Sequence, residues 1–504
     1  MPNEKQTGDV SWRTAQQQLA PLYSPGVVSE IIDLVKLAID RWTSTHADPA
    51  AGKILPSEEL IKFARSTLST RPSESGHRDI VARLDWFFAH SRRLHATGYM
   101  GHQVPPPLPL AAAFNLASAI ANQSSAVFEM SPTGTAVERA LIQKVIEPVG
   151  WSPKKSDGIM TGGGSLANLT ALLTARNVRY PEFWNKGRSA GERKPAIIVS
   201  ADCHYSIARA AGILGLGTDQ VIKSPVDSLR RLCPTRLLAT IERARFDGLE
   251  PFCVVASAGA TPVGSFDDLR AIGRIAHDHG LWFHVDGAHG ASVLFSAEHR
   301  DLAAGIEMAD SIVWDAHKMM FVPALSTFVL YKDRKHSLVT FEQDAPYLLD
   351  PEDPDRIWLD GASRTIECTK QVLAMGVWGL WSTYGSDVFG KIIDVTFGLT
   401  QQLHDLVCGT PDFTPVQKPQ GNIFCFRHTP PNLNLHDEAA VSRHQVAVRK
   451  RLLSDGLFYT TSTTIEGCAA LRVTVMNPRI TERDFRELLQ TIRLNHERDA
   501  NRIT

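Results

Sequence analysis

The distribution of apolar positions predicts an α/β domain in the middle of this 504-residue chain. From about residue 158, short apolar runs alternate with segments whose apolar residues recur at helical spacing, such as 266–278. This alternation is typical of a largely parallel sheet covered by helices. The runs that predict strands are 196–200, 252–257, 281–286, 310–314 and 326–331.

The flanking segments have different patterns. Residues 1 to about 100 carry apolar stripes at helical spacing, as in 29–42, and Pro56 stands in the first turn of another predicted helix. An apolar helix near 377–381 precedes a smaller α+β unit with predicted strands at 423–426 and 471–475. A chain of this length is expected to form two or three domains. The predicted divisions are an N-terminal helical segment (1–105), a large α/β domain (106–380) and a small C-terminal α+β domain (381–504).

Polar side chains follow several of the predicted strands near their C-terminal ends. In open α/β sheets, ligands bind at this edge. Several strands that present polar groups at one edge indicate a site more strongly than any single residue does. The residues are Asp202 with His204, Thr261, Asp286, and His317 with Lys318.

The opposite charges of Asp286 and Lys318 allow two interpretations. Asp286 ends one predicted strand, and Lys318 comes 32 residues later, directly after His317 and close to the end of the next strand. The two side chains could form a buried or half-buried ion pair between neighbouring strand ends. Alternatively, Lys318 could be the covalent anchor of a cofactor, with Asp286 as the partner of a ring nitrogen. These residues alone do not decide between the two.

A glycine-rich turn at 160–164, followed by Ser165, opens a predicted helix. Glycines let the backbone approach a ligand, and the free N–H groups of such a helix start, with the helix dipole, can bind a phosphate. The turn is neither a dinucleotide fingerprint nor a Walker loop, because no Gly-Lys-Ser/Thr follows. A tight turn with an ordinary helix cap explains it equally well. His204, taken alone, is more typical of a hydrogen-bonded structural residue.

Composition and charge limit the classes of function. Apolar residues make up 43% and charged residues 21% of the chain, and the formal net charge is −1. This balance gives no sign of binding to nucleic acid or to an anionic membrane, and no apolar run approaches the roughly 18–20 residues that span a bilayer. Seven scattered cysteines without a C-x-x-C pair argue against a disulfide framework and a zinc site. With no signal-like apolar region at the N-terminus, we expect a cytoplasmic protein without a bound metal.

Together, these motifs resemble one family. A Gly/Ser helix start, a histidine, an aspartate about 80 residues later and a lysine about 30 residues after that resemble the fold type I enzymes that use pyridoxal 5'-phosphate (PLP). The residues around them resemble the group II amino-acid decarboxylases, which include glutamate, aromatic-amino-acid, cysteine-sulfinate and diaminobutyrate decarboxylases. The resemblance extends from about His95 to Asn477. The motifs are Thr-Gly-Gly-Gly-Ser-Leu-Ala-Asn-Leu (161–169), Cys-His-Tyr-Ser-Ile-Ala-Arg-Ala-Ala (203–211), His-Val-Asp-Gly-Ala-His-Gly (284–290) and Asp-Ala-His-Lys-Met-Met (315–320).

The resemblance implies PLP as cofactor and three catalytic residues. Lys318 would bind PLP covalently, and Asp286 would pair with the protonated pyridine nitrogen, which keeps the ring an electron sink. His204 would stack on the ring. The implied reaction removes the α-carboxylate of an L-amino acid as carbon dioxide and leaves the amine.

Further residues would complete the binding site. Weak resemblance to the diaminobutyrate and acidic amino-acid branches favours a small polar substrate. A homodimer is also implied, with the N-terminal helices embracing the partner. The expected binding residues are Ala288 on the second ring face, Gly164 and Ser165 at the phosphate, His317 at the phosphate or substrate carboxylate, and His102 and Tyr347 at the substrate.

The sequence departs from the family pattern in the Asp- and Pro-rich loop 340–365. Family members commonly carry a tyrosine there that protonates the substrate carbon. The corresponding positions here, 355–358, contain none, and Tyr347 lies earlier. Ala260 also stands where the family has threonine. Two alternatives therefore remain: decarboxylation-dependent oxidative deamination or transamination at the same site, and a protein that keeps the cofactor without catalysis.

Overall fold

Two compact units make up the computed structural model, which describes residues 6–68, 76–188, 193–341 and 356–503. The first unit comprises Met1–Tyr99 and Arg451–Tyr459, and the second comprises Met100–Lys450 and Thr460–Thr504. Within the described ranges, none of the helices has the length and apolar character needed to cross a membrane. The division of the chain at residues 105 and 380 stays a prediction.

Helices form most of the described part of the first unit, as the apolar spacing predicted. They are α1 Gln6–Leu19, α2 Pro25–Thr43, α3 Ser57–Ser66 and α4 Asp79–His90. Helix α2 begins where the Ser24 hydroxyl accepts a hydrogen bond from the N–H of Val27 (3.3 Å), with Pro25 at the first helical position. The ring of Trp42 in α2 stacks on Phe88 of α4, with centroids 4.7 Å apart.

A seven-stranded sheet is the centre of the second unit. Its strands are β1 Asp157–Thr161, β2 Lys194–Ser200, β3 Val221–Ser224, β4 Leu249–Ser257, β5 Trp282–Asp286, β6 Ser311–Asp315 and β7 Thr327–Tyr331. They lie in the order β1-β7-β6-β5-β4-β2-β3. The pairs from β6 to β3 are parallel, whereas β7 is antiparallel to both β1 and β6. The five predicted strands and the mostly parallel sheet are therefore confirmed.

The sequence did not predict β1, because polar and glycine residues interrupt its apolar character. All five of its residues are nevertheless buried. The Asp157 carboxylate is compensated by Arg139 (2.5 Å) and Arg364 (2.7 Å), as a buried anion requires. At Gly158 a Cβ atom would lie 2.6 Å from the carbonyl oxygen of Val329 in β7, so only glycine lets the two strands approach so closely.

Helices bury both faces of this sheet. They are α5 Pro109–Ala121, α6 Pro132–Val149, α7 Gly164–Arg179, α8 Phe183–Lys186, α9 Ser206–Ile213, α10 Pro234–Phe246, α11 Leu269–Asp278, α12 Ala316–Met319, α13 Met375–Tyr384 and α14 Asp387–Cys408. Successive residues of β4 alternate between two separate hydrophobic cores, since Val254 and Ala256 lie in one and Cys253 and Val255 in the other. This alternation explains why the strands are apolar on both sides.

A four-stranded antiparallel sheet follows in the same unit, as predicted for the C-terminal region. Its strands are β8 Phe413–Pro415, β9 Ile423–His428, β10 Thr461–Ile465 and β11 Cys468–Thr474, in the order β10-β11-β9-β8. Two helices complete the chain, α15 Glu438–Asp455 and α16 Glu482–Ile503. The start of α16 is fixed by Thr481, whose N–H and hydroxyl both donate to Asp484 Oδ2 (2.8 and 2.6 Å).

Candidate active site

A cavity of about 190 Å³ lies at the C-terminal ends of β4, β5 and β6. It brings together seven of the residues that the sequence proposed for the site, and Thr261 as well. His102 is not among the described residues that line it. The lining residues are Gly164, Ser165, Asn168, His204, Ser257, Gly259, Ala260, Thr261, Asp286, Ala288, His289, Asp315, His317 and Lys318.

Lys318 reaches the cavity from the short helix α12. Its Nζ atom lies 2.8 Å from Oδ2 of Asp315, the last residue of β6, and the other oxygen of Asp315 accepts a hydrogen bond from the Thr327 hydroxyl (2.6 Å). Burial alone would raise the pKa of Asp315, but the charges of Lys318 and His317 and the hydrogen bonds from Lys318 and Thr327 together lower it. The lysine therefore forms an ion pair, but its partner is Asp315 and not Asp286.

Asp286 is held by two neutral donors. The Asn168 side-chain amide donates to Oδ2 (3.1 Å), and the backbone N–H of Ala288 donates to Oδ1 (3.2 Å). Each carboxylate oxygen therefore keeps lone pairs for a further donor on the cavity side. A protonated ring nitrogen is the kind of group that this carboxylate can bind.

His204 lies in the cavity wall as a neutral imidazole. Burial lowers its pKa, and although Asp286 and Asp315 raise it, the net direction is downward. Its Nδ1 atom is 2.8 Å from the Ser206 hydroxyl and also accepts from the Ser206 N–H (3.3 Å). Because Nδ1 accepts, the proton of the neutral ring is on Nε2.

The N-terminus of α7 forms another part of the cavity wall. Gly163 precedes the helix with a φ of 110°, a conformation that favours glycine, and as the N-cap residue it has no side chain to cap the first N–H groups. A Cβ atom on Gly164 would lie 2.9 Å from Asp315 Oδ2, so glycine lets the helix approach the end of β6. Ser165 follows in the first turn. Uncapped N–H groups at a helix start suit a phosphate group.

Two further histidines line the cavity. His317 Nδ1 is 3.0 Å from the carbonyl oxygen of Ser326, and its Nε2 is 3.6 Å from Asp315 Oδ2. Burial, followed by the charge of Lys318, lowers the pKa of His289 to about 3. His289 Nε2 is 2.7 Å from the side-chain oxygen of Asn422, and its buried Nδ1 has no hydrogen-bond partner in the described structure. His289 thus supplies an unused acceptor at the cavity wall.

Arg472 is a buried cation near the cavity. Its Nε atom donates to the carbonyl oxygen of Thr261 (3.0 Å), and Nη1 donates to Thr461 Oγ1 (3.2 Å) and to the carbonyl oxygen of Gly101 (3.4 Å). Among the described residues, Nη2 is buried without a hydrogen-bond partner, and no carboxylate influences the charge of this side chain. Burial lowers the pKa of Arg472. A buried guanidinium with an unused donor is suited to an anion that the described chain does not provide.

The two predicted substrate-binding residues have different outcomes. His102 is exposed overall. Its pKa is nevertheless lowered, first by partial desolvation and then by the charges of Arg472 and Arg449. Its neighbour Gly101 contacts Arg472, but a role for His102 in substrate binding stays a prediction. Tyr347 lies outside the described residues.

Sequence inspection missed Asn168 and Arg472. Asn168 is buried inside α7, where asparagine is unfavourable unless its side chain has a specific partner, and that position was a usable signal. Arg472 stands between apolar residues of a buried strand, which was a second signal. Their partners could not be inferred because Asp286 and Thr261 are 118 and 211 residues away in the chain.

Comparison with known proteins identifies the family in which this cavity occurs. The family model described as "Pyridoxal-dependent decarboxylase conserved domain" matches residues 83–429. This chain belongs to that family. It is therefore a PLP-dependent carboxy-lyase that acts on an amino acid, as the motif resemblance implied.

Individual relatives support the same assignment for this decarboxylase. It is 32% identical to acidic amino acid decarboxylase GADL1 of Mus musculus over 378 residues, which cover 74% of this chain and 68% of the relative. It is also 32% identical to cysteine sulfinic acid decarboxylase of Mus musculus, over 74% of this chain and 76% of that protein. The crystal structure of mouse CSAD matches with a TM-score of 0.87 and 27% identity, over 94% of this chain and 99% of that one.

The residues around the cavity fit the cofactor of this family. PLP carries an aldehyde, a pyridine nitrogen and a phosphate, and it supplies an electron sink for the bond that is broken. The cavity offers an amine on Lys318, a carboxylate on Asp286 and an uncapped helix start at Gly164. These three groups match the three reactive parts of the cofactor.

Proposed function

We propose that this decarboxylase acts on a small acidic L-amino acid and releases the corresponding amine and carbon dioxide. The observation that carries the choice of substrate is Arg472, a buried guanidinium whose Nη2 has no partner among the described residues. Its bond to Thr261 ties it to a residue of the cavity wall. A second carboxylate or a sulfinate on the substrate would supply the missing anion, and the names of the relatives, acidic amino acid decarboxylase and cysteine sulfinic acid decarboxylase, agree with this substrate class.

We further propose the roles that the resemblance implied for the cavity residues. Lys318 is the covalent anchor, Asp286 pairs with the pyridine nitrogen and His204 stacks on the ring. The hydrogen bonds that orient Asp286 and His204 support these roles. The remaining binding residues are Ala288 at the second ring face, Gly164 and Ser165 at the phosphate, His317 at the phosphate or substrate carboxylate, and His102 with Tyr347 at the substrate.

Asp315 is the counter-ion of Lys318 in this proposal. Whenever Lys318 is not bonded to the cofactor, a protonated Nζ atom would need an anion nearby. Asp315 lies 2.8 Å from Nζ and is itself 1% exposed, so it keeps the lysine in the cavity and excludes competing water. Lys318 would thus stay in the cavity, where it could hold the cofactor.

The test is a product analysis of the purified enzyme with PLP and a panel of amino acids. We expect aspartate, glutamate and cysteine sulfinate to give carbon dioxide and one equivalent of amine, and aromatic and basic amino acids to react at least 100-fold more slowly. A preference for tryptophan, tyrosine or diaminobutyrate would contradict the assigned substrate class. No turnover of any amino acid would favour the non-catalytic alternative.

Oxidative deamination is the second candidate, and a specific observation favours it. The expected tyrosine is absent from positions 355–358, and 342–355 lies outside the described residues. Without that proton donor, the substrate carbon could react with dioxygen instead of taking up a proton. Running the same assay with and without dioxygen separates the outcomes, because amine formation independent of dioxygen supports decarboxylation and aldehyde with hydrogen peroxide supports the alternative.

We also propose a cytoplasmic homodimer. Two apolar side chains of α5, Leu116 and Ile120, are exposed. Leu325 is also exposed, and it lines a second cavity of about 370 Å³ to which other residues of α5 contribute. A partner subunit would cover such a surface. All seven cysteines are free, in agreement with a reducing compartment. Light scattering should give twice the 55.5 kDa chain mass, and a monomer at micromolar concentration would contradict the dimer.

A further inference from the structure

A buried chain of hydrogen bonds runs from Trp282 to both Asp286 and His204. All of its linking groups are 9% exposed or less. The bonds are Trp282 Nε1 to Ser311 Oγ (2.8 Å), Ser311 Oγ to His284 Nδ1 (2.8 Å), His284 Nε2 to Asn168 Oδ1 (2.9 Å), Asn168 Nδ2 to Asp286 Oδ2 (3.1 Å) and to Ser206 Oγ (2.9 Å), and Ser206 Oγ to His204 Nδ1 (2.8 Å).

The Asp286 end of this chain sets the direction of donation along it. The indole N–H of Trp282 can only donate, so Ser311 Oγ accepts from it and keeps its own proton for another acceptor. At the other end, an ionised Asp286 can only accept, so Asn168 must turn its NH2 group towards it and its oxygen towards His284. The Asn168 oxygen can only accept, so the His284 proton must be on Nε2, and Nδ1 accepts from the Ser311 hydroxyl. Burial lowers the pKa of His284 to about 4, so the ring is neutral and carries a single proton.

The opposite tautomer of His284 would be costly at the cavity. An Nδ1–H tautomer would leave Nε2 as an acceptor, and Asn168 would rotate its NH2 group towards it. The amide oxygen would then face the Asp286 carboxylate and the Ser206 hydroxyl. Two acceptors in contact inside a buried region repel, and the Ser206 proton would turn away from His204.

We propose that Asn168 and His284 are positioning residues that set the orientation of Asp286 and His204 towards the cofactor. Neither touches the reacting atoms: His284 acts through Asn168, and Asn168 acts through Asp286 and through Ser206. One proton position on His284 thus determines which way two cofactor-facing groups point. This inference rests on the proposed roles of Asp286 and His204.

A matched pair of substitutions at His284 tests the proposal. Glutamine places an amide nitrogen near the position of the imidazole Nε2 and keeps a donor for Asn168, whereas asparagine reaches only as far as Nδ1 and leaves Asn168 without it. Both replacements are uncharged, polar amides in the same buried position. The apoenzymes are titrated with PLP to obtain the dissociation constant, and thermal unfolding of each apoenzyme is measured in parallel.

We expect His284→Gln to bind PLP within about threefold of the wild type and His284→Asn to bind about 10- to 100-fold more weakly, because Asn168 is then no longer held in place for its hydrogen bond to the charged Asp286. We also expect Asn168→Asp, which puts a carboxylate against Asp286, to bind at least as weakly as His284→Asn. A dissociation constant that follows only the loss of thermal stability, with His284→Gln and His284→Asn equally impaired, would overturn the positioning role.

An Asp286→Ala variant separates this inference from the proposed function. If Asp286→Ala binds PLP weakly while His284→Asn binds it like the wild type, the proposed role of Asp286 stands and the positioning role is wrong. If Asp286→Ala itself binds PLP like the wild type, the proposed role of Asp286 fails, and the inference fails with it.

Discussion

The Nζ atom of Lys318 lies 2.8 Å from the carboxylate of Asp315, the residue that ends β6 three positions earlier in the chain. This pair keeps the lysine away from Asp286, which is held instead by Asn168 and the N–H of Ala288. The cavity therefore contains an amine and a carboxylate that do not neutralise each other. The Lys318 amine and the Asp286 carboxylate therefore both remain available to bind opposite sides of one cofactor ring.

Replacing Asp315 tests the ion pair. Asp315→Asn leaves the Lys318 ammonium without its anion, which costs about 3–5 kcal/mol when the pair is buried. The lowered pKa of Asp315 in the folded state means that its contribution is present above the unfolded pKa of about 3.9 and is lost as pH falls through the folded pKa. The melting temperatures of the wild-type and Asp315→Asn apoenzymes are measured from pH 7 to pH 3. The difference between the two melting temperatures should become smaller at the acid end. A constant difference would contradict the ion pair.

Arg472 should determine which substrates bind. For Arg472→Met, we expect the ratio of kcat/KM for glutamate to kcat/KM for glutamine to fall about 100-fold, because a buried charge pair loses one partner. The ratio is the informative quantity, since general damage to the site changes both substrates alike. Arg472→Lys, which keeps the charge, is the control and should retain part of the preference. An unchanged ratio in Arg472→Met would remove the basis for an acidic substrate.

The glycine at the start of α7 should matter for cofactor affinity. In Gly164→Ala the new Cβ atom would meet Asp315 Oδ2 at 2.9 Å, so the helix start must move away from the end of β6. We expect the dissociation constant for PLP to rise about tenfold, which corresponds to the lower part of the cost of overpacking. Gly398→Ala in α14, where a Cβ meets nothing within 4 Å, is the control and should bind PLP like the wild type. Equal binding of PLP by both variants would contradict the proposal that the start of α7 binds the phosphate.

Neutral histidines that are buried or, like His444, half-buried should make the apoenzyme sensitive to mild acid. Burial lowers the pKa of His284, His428 and His444 to about 4 and that of His289 to about 3. Below the unfolded value of about 6.5 the unfolded chain binds protons that the folded chain does not, so stability is lost as pH falls from about 6.5 to 4. The melting temperature should fall over this window.

Substitution of one of these histidines gives the control for the pH effect. His444→Gln should flatten the decline of the melting temperature, whereas the same change at the exposed His436 should leave its slope unaltered. A wild-type melting temperature that is constant between pH 6.5 and 4 would contradict the neutral buried histidines.

Local patterns were sufficient for most of the sheet. Strands β2, β4, β5, β6 and β7 are apolar runs, and both of their faces are buried. Strand β1 could not be predicted, because its burial depends on Arg139 and Arg364, which neutralise Asp157 from other parts of the chain. Strand β3 was also missed, because it has only four residues, three of which are incompletely buried.

Only those site residues that lie near the ends of strands could be predicted from the sequence. Asp286, His204 and Lys318 follow or end apolar runs, so the sheet edge brings them to one cavity. The partners of these residues could not be predicted, because Asn168 reaches Asp286 and Ser206 from another helix and Arg472 reaches Thr261 from the second sheet. Contacts between residues far apart in sequence are a property of the packed fold and not of any local pattern.

The anchor residue can be identified directly by reducing the PLP-loaded enzyme with borohydride, digesting it and locating the modified lysine by mass spectrometry. We predict one pyridoxyl-phosphate group, on the peptide that contains Lys318, and none in Lys318→Ala treated in the same way. Modification of a different lysine, or an unchanged visible absorption band in Lys318→Ala, would contradict the assignment of this cavity as the active site.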